Sequence, residues 1–254
     1  MEKIKDGFPP PEDILYGFLK MRQPVIGPRV NMDTVLLAGF ARVQARDRVM
    51  ELGCAHGGIS LILAKRCSGA AFTGIDIQNE LIELARKNAS ENGLEERTDF
   101  KCRDLREVRQ SFTHQSFDVV VVNPPYEDPG RGRRSDHETN RLARQGEECS
   151  FEDVAEAARF LLKNKGRLFM VMRALRLAET MSLLRASKIE PRTLLMVHPT
   201  PKKCASVFLL EAVRDGGPAL SVLPPLYIYG DNGHYTERLL EFYAPEVPPV
   251  GNGR

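Results

Sequence analysis

Long apolar runs are missing from this chain. Its longest uninterrupted stretches, such as Val119 to Val122 and Leu168 to Met172, have the length of a strand, far short of the roughly 20 residues that a membrane-spanning helix needs. Pro9, Pro10 and Pro11 break the N-terminus early, so neither a transmembrane helix nor a signal peptide is expected. Cysteine is sparse and unpaired in pattern. Cys54, Cys67, Cys102, Cys149 and Cys204 are widely spaced, odd in number and without a CxxC pair, which argues against a disulfide framework and a zinc site, predicts no metal, and suits a reducing cytoplasm. Neither sign of charge dominates. With 36 Lys+Arg against 34 Asp+Glu, 28% charged and 42% hydrophobic residues, the composition excludes a disordered tail and a collagen-like repeat. No internal repeat or low-complexity tract occurs, and the proline-rich ends (Pro9 to Pro11; Pro245, Pro248 and Pro249) read as extended tails.

What is present is length and local asymmetry. The 254 residues suffice for a sizeable core in one large domain or two small ones. Between Lys163 and Lys203 stand ten Lys/Arg against two acids, Glu179 and Glu190. That excess either faces a polyanion or is a well-solvated helix and strand edge.

The middle of the chain alternates regularly. Arg48–Leu52 reads as a strand, Ile59–Arg66 as a helix, Ala70–Ile77 as a strand, and Glu80–Asn92 as a helix closed by Gly93. A strand at Thr98–Cys102, a buried strand at Phe117–Val122, a helix at Phe151–Leu162, a strand at Arg167–Met172 and a helix at Leu175–Ala186 follow. Two further extended runs, Thr193–His198 and Ala205–Val213, are joined through Pro199-Thr-Pro201, short enough for a hairpin and hence an antiparallel edge. The pattern predicts an α/β fold, Rossmann-like, with a seven-stranded, mostly parallel sheet, its last strand antiparallel and helices on both faces. Strand counting does not separate a methyltransferase from a nicotinamide-binding fold.

Two segments point to a nucleoside-containing cofactor. Glu51-Leu-Gly53-Cys54-Ala55-His56-Gly57-Gly58 leaves the first strand of the alternating region and opens a helix, where bare backbone approaches a ligand and N–H groups meet it at a positive helix end. Asp76 ends the second strand, 23 residues after Gly53, where a carboxylate accepts both hydroxyls of a ribose. The spacing Gly53-x3-Gly57 is not the GxGxxG usual for a pyrophosphate. Asp104, just after the third strand, is either an acceptor for the exocyclic amine of an adenine or a solvated loop acid. His56 and His198 carry no catalytic assignment, being single histidines without a positioned partner, and His114, His137 and His234 read as surface loop residues.

The most specific motif follows. Val119–Val122 runs directly into Asn123-Pro124-Pro125-Tyr126, at the carboxyl end of a buried strand, where open α/β sheets bind ligands. The prolines fix the backbone and remove two N–H donors, leaving carbonyl acceptors; Asn123 adds an amide acceptor and Tyr126 a flat stacking face.

Asn-Pro-Pro-Tyr after the fourth strand resembles the amino-group methyltransferases, which act on the planar NH2 of adenine, guanine or glutamine. Within that group the chain is similar to the bacterial tRNA1(Val) adenine-N6-methyltransferases through Ile14-Leu-Tyr-Gly17, Asn31-Met-Asp33-Thr34-Val-Leu-Leu37, Arg141-Leu-Ala-Arg144, Val197-His-Pro199, Leu223-Pro-Pro225 and the Tyr235–Tyr243 stretch. The resemblance spans roughly residues 12–243. It implies a class I methyltransferase that uses S-adenosylmethionine and acts on tRNA, with Glu51, Gly53, Cys54, Ala55, Gly57, Asp76, Ile77, Asp104, Leu105 and Asn123 at the cofactor and Asn123, Pro124 and Tyr126 at the target amine. It also implies an N-terminal extension (1–46) packed on a methyltransferase domain (47–214) that a C-terminal extension (215–254) completes. Arg131, Arg133, Arg134, Arg141, Arg144, Lys202 and Lys203 are then the expected RNA contacts. The middle glycine usual in the cofactor loop is Ala55 here, and Gly58 replaces a branched apolar residue.

Two rival functions share these motifs. A protein glutamine N5-methyltransferase presents the same planar amine, but such enzymes usually carry a separate helical recognition domain, and only about 47 residues precede the first strand of the alternating region. A non-catalytic RNA-binding protein that keeps the fold is the other.

Overall fold

The computed structural model describes residues 8–124 and 149–246. The chain enters through a hairpin, β1 (Pro11–Ile14) and β2 (Leu19–Arg22), turned by Leu15, Tyr16 and Gly17 in the left-handed backbone region. Pro9 to Pro11, expected as a tail, are therefore built in: Pro11 pairs with Arg22, and the Pro9 carbonyl accepts from Arg22 Nη1 at 2.8 Å. Helix α1 (Met32–Phe40) starts at Asn31, whose side chain accepts from the Thr34 N–H while Thr34 returns a bond to the Asn31 N–H.

The sheet begins with β3 (Arg48–Leu52), followed by α2 (Gly58–Arg66), β4 (Ala71–Asp76), α3 (Asn79–Glu91), β5 (Thr98–Cys102), α4 (Val108–Ser111) and β6 (Phe117–Val122). Beyond Ser150, which caps the next helix, come α5 (Phe151–Leu161), β7 (Leu162–Arg173), α6 (Leu177–Ala186), β8 (Ile189–His198) and β9 (Val207–Arg214). Strands β3 to β7 are parallel in the order β5-β4-β3-β6-β7, and β9 slots antiparallel between β7 and β8. These are the seven strands the alternation predicts, the last one antiparallel. Two strands of two residues each, β10 (Ser221–Val222) and β11 (Leu226–Tyr227), pair parallel with the outer edge of β8 and bring the sheet to nine. Segments that short carry no period-2 pattern to read.

Burial on both faces explains the unbroken apolar run Val119–Val122, every residue of which is buried. One core joins the sheet to α1, α2, α3 and the N-terminal hairpin; the other joins it to α4, α5 and α6. The hairpin is tied to α3 by buried Asn88, which accepts from the Arg22 N–H at 2.7 Å and donates to the Arg22 carbonyl, and by the Arg22–Glu91 ion pair. Among the described residues no helix is long and apolar enough to cross a membrane, and no cluster of three or more metal-ligating side chains occurs.

The C-terminal segment, α7 (Glu237–Glu241) with Phe242 after it, returns to α1. A Cβ at Gly39 would stand 2.5 Å from Phe242 Cδ1, so the ring lies directly on bare helix backbone. Arg66 Nη2 clamps the same turn by donating to the carbonyls of Phe242 and Ala244 at 2.8 and 2.9 Å. If the C-terminal extension completes the folding unit, Phe242→Ala costs about 3–5 kcal/mol of global stability, read as a lower urea midpoint with unchanged slope. An unchanged midpoint would make the segment a dispensable appendage.

Candidate functional site

The polarity of the sheet gathers the candidate site residues at one edge. Leu52 on β3 is level with Ile75 on β4 and Val122 on β6, so Gly53, Asp76 and Asn123 leave neighbouring strands side by side. Asp76 is level with Cys102, which places Asp104 two residues past the end of β5. The chain winds to one side of β3 through β4 and β5 and then to the other through β6 and β7, so the loop after β3 stands at the reversal of strand order, where such sheets bind ligands.

The loop turns with Gly53 (φ +70°), Ala55 (φ +47°) and Gly57 (φ +86°) in the left-handed region. Two of the three are glycine, the residue that bears this conformation without strain; Ala55 bears it at a cost of roughly 1–2 kcal/mol. The strain is held by bonds from β4. The Cys54 N–H donates to the Ile75 carbonyl and the Ala55 N–H to Asp76 Oδ2, both at 2.9 Å, while Asp76 Oδ1 accepts from the Gln78 N–H at 2.9 Å. Underneath, Phe100 of β5 acts as a spacer. A Cβ on Gly74 would stand 2.6 Å from its ring and a Cβ on Gly57 3.0 Å, so the ring braces strand and loop together.

Glu51 stands below the loop rather than in it. It is 2% exposed, and its Oε2 accepts from the Ser60 N–H at 2.8 Å and from the Ser60 hydroxyl, pinning the first turn of α2 to the end of β3. Burial pushes this carboxyl up to about 8 against the downward pull of the Ser60 bonds, and the Asp76 charge adds to the rise. Cys54 is also buried, its thiol raised by burial and by the Glu51 and Asp76 charges, so it meets the loop surface only through its backbone.

His56 is the unexpected member. Its ring is buried, neither nitrogen has a hydrogen-bond partner among the described residues, and burial lowers it to about 4, so it is neutral at physiological pH. Its carbonyl accepts from Asn88 Nδ2 at 3.1 Å, the same amide that holds Arg22, which links the loop to the N-terminal hairpin. Neither Ser60 nor Asn88 is marked by any motif. A serine in the apolar run Ile59–Leu63 is the one local signal that was available.

The remaining expected residues fall as follows. Ile77 is exposed beyond Asp76, and Leu105 is half-buried. Asp104 caps the turn Leu105–Glu107 and is bonded to Arg106 through its N–H and guanidinium; those bonds hold the carboxyl below its usual range. Asn123 is half-buried and Pro124 buried at the mouth of β6. Pro125, Tyr126, Arg131, Arg133, Arg134, Arg141 and Arg144 lie outside the described residues. The basic excess from Lys163 to Lys203 shrinks in three dimensions, because acids distant in sequence pair with two of its members, Asp118 with Lys163 and Asp47 with Arg167, while Arg185 and Arg176 pair with the local Glu190 and Glu179. Lys202 and Lys203 make no ion pair among the described residues, and they stand exposed in the β8–β9 turn at the same sheet edge as Asn123.

An adenosine-bearing group fits this edge. Nothing lies within 4 Å of the position a Cβ would take on exposed Gly53, and the carboxylate of Asp76 is fixed beside it by two backbone N–H groups.

A family model described as a methyltransferase domain matches residues 44–189. A protein of Dyadobacter fermentans named tRNA1(Val) (adenine(37)-N6)-methyltransferase is 26% identical over 88% of this chain and 93% of its own. One of Porphyromonas gingivalis with the same name is 29% identical over 85% and 88%. The crystal structure of a predicted O-methyltransferase, protein Atu636 of Agrobacterium tumefaciens, superposes with a TM-score of 0.72 at 20% identity, covering 87% of this chain and 99% of that one, a likeness of fold.

Glu51 gives a pH test of the loop's support. An ordinary carboxyl titrates near 4.5 and the folded one near 8, so in between the native chain keeps a proton that the unfolded chain releases. Its contribution is therefore complete below pH 4.5 and lost as the pH rises toward 8, by up to a few kcal/mol. In Glu51→Gln that decline disappears from denaturant unfolding measured across this window; a slope equal to the parent's would show that Glu51 is ionised in the fold.

Proposed function

The chain belongs to the methyltransferase-domain family, with S-adenosylmethionine as its methyl donor, and from that premise we propose that its acceptor is the N6 amine of an adenine in tRNA, the anticodon-adjacent adenine of tRNA1(Val). One observation carries this reading: Asn123-Pro124 stands at the carboxyl end of β6, one strand from the glycine loop and two from Asp76. The relatives aligned over most of their length, which bear that activity in their names, support it.

An adenine amine is a poor nucleophile because its lone pair is delocalised into the ring, and removing a proton at neutral pH is not the remedy. Asn123 Oδ1 and the Pro124 carbonyl accept its two N–H bonds, which draws the nitrogen toward tetrahedral geometry and aims the lone pair. Bound at the β3 loop, S-adenosylmethionine would supply a methyl group on a sulfonium, an electrophile that needs no further activation; its S–CH3 bond would break as N–CH3 forms, the thioether leaving neutral and the amine giving up one proton to water. Asp76 accepts the ribose hydroxyls, and Asp104, kept ionised by Arg106, accepts the exocyclic amine of the cofactor's adenine. Tyr126 stacks on the target base, which leaves a single-stranded loop at less cost than it would leave a duplex. Cys54 and Ala55 would serve through the loop backbone and Glu51 by pinning α2 beneath it through Ser60, with Ile77 and Leu105 beside the cofactor. Lys202 and Lys203, with the arginines Arg131, Arg133, Arg134, Arg141 and Arg144, hold phosphates, and a tRNA substrate places the protein in the cytoplasm.

Nucleoside mass spectrometry of tRNA from cells with and without the gene reads the reaction directly: N6-methyladenosine is lost with the gene, and its persistence would refute the assignment. Two variants separate the roles. Asn123→Ala lowers single-turnover methylation by about 10²-fold with cofactor affinity close to the parent's in calorimetry. Asp76→Ala weakens the cofactor by about 1.5–3 kcal/mol. Equal turnover in Asn123→Ala would remove the amide from the mechanism.

Charge reversal tests the docking edge. The slope of log K against log salt is about −0.7 per single-stranded phosphate neutralised, so Lys202→Glu with Lys203→Glu gives weaker tRNA binding and a flatter line. Coincident lines would exclude this turn from the interface.

A further inference from the structure

The outer end of β8 carries a feature that the reaction does not use. Strand β11 runs parallel to β8 and leaves it at the same edge: the Ile228 N–H donates to the His198 carbonyl at 2.9 Å and the Tyr229 N–H to the Pro199 carbonyl at 3.0 Å. The Gly230–His234 turn then reverses the chain and sets Tyr235 across an antiparallel bridge from Tyr229. The two rings stack with centroids 5.2 Å apart and planes 29° from parallel, yet Tyr229 is 38% and Tyr235 45% exposed. Large flat rings already locked in one orientation lose little freedom when another flat group settles on them.

Charge stands at the same end of β8. The β8–β9 turn leaves His198 as β11 does, and it folds back so that the Lys203 carbonyl lies 2.9 Å from His198 Nδ1, with Lys202 and Lys203 exposed. The Gly230–His234 turn holds one acid, Asp231, against these two lysines. Parallel to β7 and β6, β8 ends at the edge that bears Asn123-Pro124, three strand spacings or about 14 Å away across β7 and β9. Cations next to stacked aromatic faces match a chain of alternating phosphates and unpaired bases; every base offers a π-face, and a paired one offers it to its own stack.

We propose that the Tyr229–Tyr235 pair, with the Lys202-Lys203 turn, is a stacking subsite for an unpaired RNA nucleotide lying outside the target base. The proposal rests on the RNA reading above and adds to it a contact of a different kind, one that salt does not screen.

The test compares the binding of single-stranded and fully paired RNA of one sequence by the parent, by Tyr229→Leu with Tyr235→Leu, and by Tyr229→Phe with Tyr235→Phe. The leucine variant loses about 5- to 100-fold in affinity for the single strand, whereas the phenylalanine variant, which keeps the rings, stays near the parent. Cofactor affinity and melting temperature remain at parental values in both. The sequence has no tryptophan and six tyrosines, so tyrosine emission is a second readout: it falls when single-stranded RNA binds the parent and falls less in the phenylalanine variant. Parental affinity in the leucine variant, or an equal loss on the duplex, overturns this subsite while leaving the proposed reaction standing. An unchanged emission drop in the phenylalanine variant overturns it even if the leucine variant fails to fold. No RNA binding by the parent overturns both readings.

Discussion

The turn out of β3 has to reverse the chain within five residues, and it does so with three of them in left-handed backbone, Gly53, Ala55 and Gly57. A turn of that kind does not hold itself. Its shape is imposed from β4 through the Cys54 and Ala55 N–H groups, from below through Glu51 and Ser60, and from the side through the Phe100 ring against Gly57 and Gly74. Each support belongs to a different part of the chain, so the loop keeps its form only when three parallel strands and α2 are all in place. The site is thus a property of the assembled sheet, and the N-terminal hairpin joins it through Asn88, which holds both Arg22 and His56.

Buried ionisable groups around the loop divide into two kinds. Glu51, Cys54 and His56 are each driven toward the neutral form by burial, while Asp76 takes two backbone N–H groups, one on each carboxylate oxygen. A neutral floor thus lies around the one carboxyl that two backbone N–H groups hold. The deviation at Ala55 acts on the same balance. Its methyl group disfavours the left-handed conformation, so the bond from the Ala55 N–H to Asp76 has to hold the turn against it.

How much of this was legible in the sequence follows from how local each feature is. The strands and helices of the sheet announce themselves through periodicity, and the loops Gly53–Gly58 and Asn123-Pro124 through residue types that only a special backbone requires. The hairpin Pro11–Arg22 escaped because prolines at its start imitate a tail, although Pro11 sits at the first position of a strand that has one partner, where no N–H is missed. The Asp104–Arg106 pairing, the support of Glu51 by Ser60 and the neutralisation of Lys163 and Arg167 by acids far away in the chain are facts of proximity, for which spacing gives no signal. The same holds for Phe242, an ordinary aromatic in sequence that becomes a structural plug because Gly39 leaves bare backbone beneath it.

The position of β9 has a consequence for how the chain is made. β7 pairs with β9 and not with β8, which is synthesised first. Until Val207–Arg214 emerges, the far edge of β7, with Phe169 and Val171, has no strand to pair with, and β8 has no neighbour to lie against. The growing chain therefore passes through a five-stranded parallel half whose open edge is long and, over Leu168–Met172, apolar, the kind that recruits other chains. It closes when β8 and β9 dock together as a preformed hairpin. Between the emergence of β7 and that of β9 from the ribosome the chain is therefore at its most adhesive stage.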